Sequence, residues 1–166
     1  MALRQILKST PSVFGRCYAT TALKEVKVSS TAAGVRSVVK SGKHEFIVDE
    51  PVALGGTDQG ASPLGYFIGS VVACEQVTAE FVARKMGHKF ESATFEAKAY
   101  FDPKGFAGVE GHYPRFQKLV ITADVTTTAS QEELDVICQK VQKQCIVADQ
   151  FHASGCDMDV KYTKIN

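Results

Sequence analysis

The stretch that most constrains this chain runs from Gly55 to Gly87, GGTDQGASPLGYFIGSVVACEQVTAEFVARKMG. Ser62 is placed to cap a helix, Pro63 stands at the first helical position where its missing N–H costs nothing, and Gly87 is a stop. One helix from Pro63 to Met86 would be about 36 Å long. Leu64 to Cys74 carries no charged side chain, so this half is expected to be buried on every face. Gly65, Gly69 and Ala73 recur every four residues. Each helical glycine costs about 1 kcal/mol relative to alanine, so the stripe predicts that another backbone, a partner helix, approaches closely there.

A chain of 166 residues is long enough to bury a core of its own. The net charge of +1 and the lack of a dense basic run argue against nucleic acid. No apolar run is long and uncharged enough to span a membrane. Residues 1–23 read differently, with Arg4, Lys8 and Arg16 among scattered Ser and Thr and no acid before Glu25. That is the composition of a mitochondrial presequence, cut around Cys17 to Thr21, which would place the protein in the matrix. Losing those three cations takes the 19 basic residues to 16 against 18 acids, a mature charge of −2. Residues 24–166 would then form the folded domain.

Three short strands are expected over 24–30, 34–40 and 44–49, with Ser41-Gly42-Lys43 as a hairpin turn. The glycines of GGTDQG lack the GK[ST] ending of a phosphate loop and instead permit a tight approach to the long helix. After Gly87, Phe95, Ala97, Ala99 and Phe101 alternate with polar residues, predicting a half-buried strand. A loop follows over 102–114, then an alternating strand over 115–127. Ser130 and Glu133 form a capping box for a second helix, whose apolar stripe is Leu134, Ile137, Cys138, Val141, Cys145 and Ala148. Residues 158–165 form the last strand. No glycine phosphate loop between repeated βαβ units is visible, so the fold class is α+β. One small sheet cannot cover the long helix on all sides. A dimer sandwiching the central helices between two sheets would.

No secretory segment precedes the five cysteines, so reduced thiols are expected rather than a disulfide scaffold. Cys74 and Cys145 both lie on inward helix faces and could meet. A buried thiol is ordinarily inert, so a reactive one needs a cation nearby, and the helix dipole fades within the first turn. Arg36, the charge in the otherwise apolar GVRSVVK, is the candidate, with a carboxylate needed to orient it. Against this stands the plain alternative that free cysteine is among the most buried residue types and often only fills space. Cys138 and Cys145 are about 10 Å apart along one helix face, too far for a disulfide. His152 and Cys156 have helical metal-ligand spacing, but Ala153-Ser154-Gly155 interrupts it, and no metal or cofactor site is expected.

GGTDQGASPLGYFIGSVVAC, the preceding DEPVALGG and a second cysteine in KVQKQCIVADQF together resemble the OsmC/Ohr family of thiol-dependent hydroperoxide reductases. The resemblance covers about residues 26–164. It implies an intertwined homodimer in which antiparallel sheets wrap the central helices, with active sites at the subunit interface. It further implies Cys74 as peroxidatic thiol and Cys145 as resolving thiol. The oxidised pair is then reduced by an external dithiol, lipoyl in the organic-hydroperoxide branch, which a mitochondrial matrix supplies. That branch places an arginine on an early strand, which Arg36 matches approximately. It also has a glutamate directly after the helix proline, where this chain has Leu64, so another acid, Glu50 or Glu75, must orient the arginine. Ile146 replaces a proline common in the family. Two functions stand side by side: a peroxidase of organic or lipid hydroperoxides serving oxidative-stress defence, and a non-catalytic dimer that binds a hydrophobic ligand or a protein partner.

Overall fold

The computed structural model describes residues 22–165, so the presequence expected over 1–23 lies almost wholly outside the described residues. Three strands, β1 (Val28–Ala33), β2 (Arg36–Ser41) and β3 (His44–Val48), form an antiparallel meander. Its turns are made by Gly34 and Gly42, both with positive φ, which glycine adopts without steric cost. The first turn lies later than expected, which moves β1 forward to Val28–Ala33. A 3-10 turn over Val52–Leu54 leads to helix α1 (Pro63–Lys85).

Helix α1 begins and ends on the predicted signals. The Ser62 hydroxyl accepts the Gly65 amide at 3.1 Å and Pro63 is the first helical residue. At the other end Gly87, at φ 84°, lets the His88 amide reach the Ala83 carbonyl (2.9 Å) and its own amide reach that of Arg84 (3.1 Å). This double bond pattern closes helices at a left-handed glycine.

The second sheet has the order β4 (Phe90–Phe101), β5 (Phe116–Thr127), β6 (Asp157–Ile165). Strand β4 starts four residues earlier than its alternation suggests, because the register shifts between Phe90 and Ser92 and a bulge breaks the two-residue period. Between β4 and β5 the loop contains one short helix, α2 (Pro103–Phe106). Strand β6 runs parallel to β5, so this sheet is mixed and the expectation of antiparallel sheets is corrected. The cause is the crossover through α3 (Gln131–Gln144) and α4 (Ile146–Ala153), which carries the chain back before β6 begins. A parallel neighbour requires such a crossover.

The core lies between one face of this sheet and the helices. Leu119, Ile121, Ala123 and Val125 of β5 are fully buried against Leu134, Ile137 and Val141 of α3 and Val71, Ala79, Val82 and Ala83 of α1. Both halves of the capping box form at the start of α3, Glu133 amide to Ser130 hydroxyl (3.2 Å) and Ser130 amide to Glu133 carboxylate (2.8 Å).

Among the described residues of one chain the first half of α1 is covered on one side, for Leu64 and Phe67 are about half exposed, and Val77 and Phe81 further along are 54% and 58% exposed. A Cβ on Gly69 would meet nothing within 4 Å. One expectation is corrected: the helix expected to run through Cys145 breaks there. Cys145 adopts ψ 113°, ending α3 and starting α4.

Candidate functional site

The turn from β3 into α1 is held by a buried carboxylate. Asp49 accepts the Thr57 hydroxyl (2.6 Å) and the amides of Glu50 (2.8 Å), Thr57 (3.1 Å) and Gln59 (3.2 Å). The Thr57 hydroxyl first, then the three amides, hold its carboxyl down at about 2 despite burial. The approach is as tight as the glycines imply. A Cβ on Gly56 would fall 1.8 Å from the Glu50 carbonyl oxygen, and one on Gly60 would fall 2.2 Å from that of Ile47. Tyr66 ties the start of α1 to the first sheet by donating to the Ile47 carbonyl (2.7 Å) and packing its ring on Phe46 at 4.8 Å.

Twelve residues beyond Ser62, Cys74 stands half-buried on α1 and faces the buried Cys145 thiol, with which it interacts. Cys145 is placed by the helix break. Its amide still bonds the Val141 carbonyl (2.8 Å) and its carbonyl already accepts the Asp149 amide (3.0 Å), so both helical ladders meet on this residue. Burial pushes the Cys145 thiol up to about 11, while the Ala148 amide in the first turn of α4 works in the opposite direction. No disulfide joins the two sulfurs in this structure.

Beside them lies Glu75, buried without exposed surface. Its carboxylate accepts the Tyr162 hydroxyl at 2.7 Å and the Gln142 amide at 3.1 and 3.0 Å to its two oxygens. The Cys145 thiol faces this carboxylate as well and interacts with it electrostatically. Burial raises the Glu75 carboxyl above the usual range, and the Tyr162 and Gln142 hydrogen bonds and the charge of His152 only partly offset this. Burial and the Glu75 charge push the Tyr162 phenol far up.

The other expected residues fall elsewhere. Arg36 opens β2 and its Nε donates to the Gln59 side chain at 3.1 Å. The Glu50 backbone bonds Asp49 and Asp58. Neither figures among the hydrogen-bond or charge partners of Cys145 or Glu75. Cys138 and Cys156 are core thiols that donate to the Val160 and Asp157 carbonyls, and burial pushes Cys138 up to about 12. Among the described residues no group of three His, Cys, Asp or Glu side chains is arranged to hold a metal, and no helix is long and apolar enough to cross a membrane.

Sequence reasoning named Glu75 only as an acid that could orient an arginine and missed Tyr162 and Gln142. For Glu75 the signal was present, because Val71, Glu75, Ala79, Val82 and Ala83 share one helix face at the spacing of buried residues. Tyr162 and Gln142 carry no such mark in a sequence.

The family model described as OsmC-like protein matches residues 56–161, and the chain belongs to that family. No curated protein matches its sequence. The fold is similar to that of an OsmC-like protein from Mycoplasma pneumoniae, with a TM-score of 0.75 at 15% identity over 86% of this chain and 99% of that one. It is also similar to an organic hydroperoxide resistance protein from Elizabethkingia anophelis (TM-score 0.65, 23% identity, 89% and 99% covered). A third is the organic hydroperoxide resistance protein OsmC from Legionella pneumophila (0.64, 19%, 88% and 100%). At these identities the likeness is one of fold.

Proposed function

We propose that the protein is a thiol peroxidase that reduces organic or lipid hydroperoxides to alcohols through Cys74 and Cys145. The observation that carries this reading is the meeting of these two thiols, contributed by separate helices, one partly accessible and the other sealed behind it. The Cys74 thiolate attacks the peroxide O–O bond, taking one oxygen as a sulfenic acid while the other leaves as an alcohol. Cys145 condenses with the sulfenic acid to a disulfide, releasing water, and an external dithiol of lipoyl type reduces the disulfide by exchange. Membership of the OsmC-like family and the names of two fold neighbours are in keeping with peroxide detoxification.

The working unit is a homodimer. An apolar stripe on α1 through Ala73, Val77 and Phe81 lies open, and so does the groove of about 490 Å³ between Phe81 of α1 and Phe90 of β4. A second copy would cover both. Arg36 and Glu50 enter this reading as the activating cation and its carboxylate, brought to Cys74 by the second copy. The segment 1–23 directs the protein to the mitochondrial matrix, where lipoyl dithiols are at hand.

Peroxide treatment is expected to remove two free thiols and yield a Cys74 to Cys145 disulfide in peptide mass mapping. Cys74→Ser is expected to abolish consumption of cumene hydroperoxide with dihydrolipoamide as reductant. A wild type that consumes no hydroperoxide with any dithiol leaves the non-catalytic binding dimer as the reading to adopt.

A further inference from the structure

The peroxidase reading leaves Glu75 without a task, although a buried carboxyl is expensive to keep. Four features fix its surroundings. It sits on the inward face of α1 among Val71, Ala79 and Val82, where an apolar side chain would pack equally well. The groups that face it come from three other parts of the chain: Gln142 on α3 and Tyr162 on β6, which donate to it, and Cys145 at the helix junction, whose thiol interacts with it electrostatically. All three are neutral, and the basic group in its field is His152 on α4. Cys138 of α3 also faces it, through charge interaction, and Cys74 precedes it on its own helix. Finally, the Gln142 Oε1 atom is buried with no hydrogen-bond partner. A protonated Glu75 has an O–H to give, and a turn of the Gln142 amide would present that acceptor to it.

We propose that Glu75 is the base that removes the Cys145 thiol proton when Cys145 closes the disulfide, with Tyr162 and Gln142 positioning its carboxylate. For its physiological setting the inference rests on the peroxidase reading. The Cys145 proton passes to a Glu75 oxygen, and the freed electron pair forms the S–S bond to Cys74. The S–O bond of the sulfenic acid breaks, its oxygen leaves with the bonding pair as hydroxide, and that hydroxide takes the proton from Glu75 and departs as water. Only the thiolate attacks, and burial keeps Cys145 a thiol at neutral pH, so the step needs a base in contact. A carboxyl whose proton affinity is raised by burial is better matched to a thiol than an exposed one.

The test uses the full chain and needs no peroxide. Ellman's reagent forms a mixed disulfide on Cys74 with release of one thionitrobenzoate, and attack by Cys145 releases a second in a first-order phase that Cys145→Ser removes. Wild type is expected to reach a plateau in that phase once Glu75 is ionised. Glu75→Gln, which preserves shape, is expected to be about 100-fold slower at pH 7 and to gain tenfold per pH unit toward the titration of Cys145 itself. Tyr162→Phe keeps the carboxylate but removes a donor that favours its charged form. It is expected to move the midpoint of the wild-type profile to higher pH, and it decides the matter should Glu75→Gln not fold. Equal rates and profiles in wild type and Glu75→Gln, or an unmoved midpoint in Tyr162→Phe, overturn the proposal. A protein that ignores hydroperoxides yet keeps the Glu75-dependent profile supports the base and overturns the peroxidase reading alone.

Discussion

The two sheets of this protein are built to opposite standards. In β4–β5–β6 one face is sealed, with Leu119, Ile121 and Val125 fully buried and α1, α3 and α4 laid across them. In β1–β2–β3 no side chain is buried, although Val38, Val39, Phe46 and Ile47 are as apolar as their counterparts. The first sheet is tied to the rest through Tyr66, the Asp49 turn and a bridge between Val48 and Ala61. Apolar content is therefore not what separates the two regions. Among the described residues one has its cover in the same chain, and the other does not.

That contrast is open to direct attack. Leu134→Ala, in the sealed half, is expected to lower unfolding free energy by about 2–5 kcal/mol in urea titration, at any protein concentration. Val38→Ala in the open sheet is expected to cost about 1 kcal/mol or less in dilute protein and more as concentration rises and a second copy covers it. Equal costs, or no concentration dependence, would erase the distinction. The next effect is on the hinge between the regions. The Asp49 carboxyl is held at about 2 by its hydrogen bonds, against an ordinary value of 3.8. A lowered folded value means stabilisation that is complete above about pH 4 and lost as the pH falls toward 2. Hydrogen exchange at the Thr57 and Gln59 amides should accelerate over that window in wild type, and Asp49→Asn should show fast exchange without the pH dependence. The smallest effect concerns a feature wholly inside the sealed half. Ser130→Ala breaks one side of the capping box and is expected to cost about 1 kcal/mol, measured by urea titration, with no change in the exchange of β1–β3.

Much of this architecture was legible because its signals are local. Ser62-Pro63 and Gly87 bound α1, and Ser130 with Glu133 opens α3, since caps are made by side chains and backbone within a single turn. The alternation in β5 placed Leu119, Ile121, Ala123 and Val125 inward because a strand has only two faces. What stayed hidden was non-local. The stripe Cys138, Val141, Cys145, Ala148 keeps helical spacing across a break at Cys145, so periodicity carries no trace of the change in direction. A proline at 146, common in the family, would have marked the first position of α4. Ile146 erases that mark. The parallel course of β6 depends on where the crossover lands, which no residue of β6 encodes.

By itself, then, the sequence determined the caps, the inward faces, the tight glycine approach to α1 and the two thiols worth watching, because each depends on neighbours a few residues away. Only the tertiary structure decided that Cys145 would end one helix and begin another beside Cys74, and that Tyr162 and Gln142 would converge on Glu75. That convergence on Glu75 joins side chains from three separate segments at 2.7–3.1 Å, and the chain between them is too long for any local preference to set those distances.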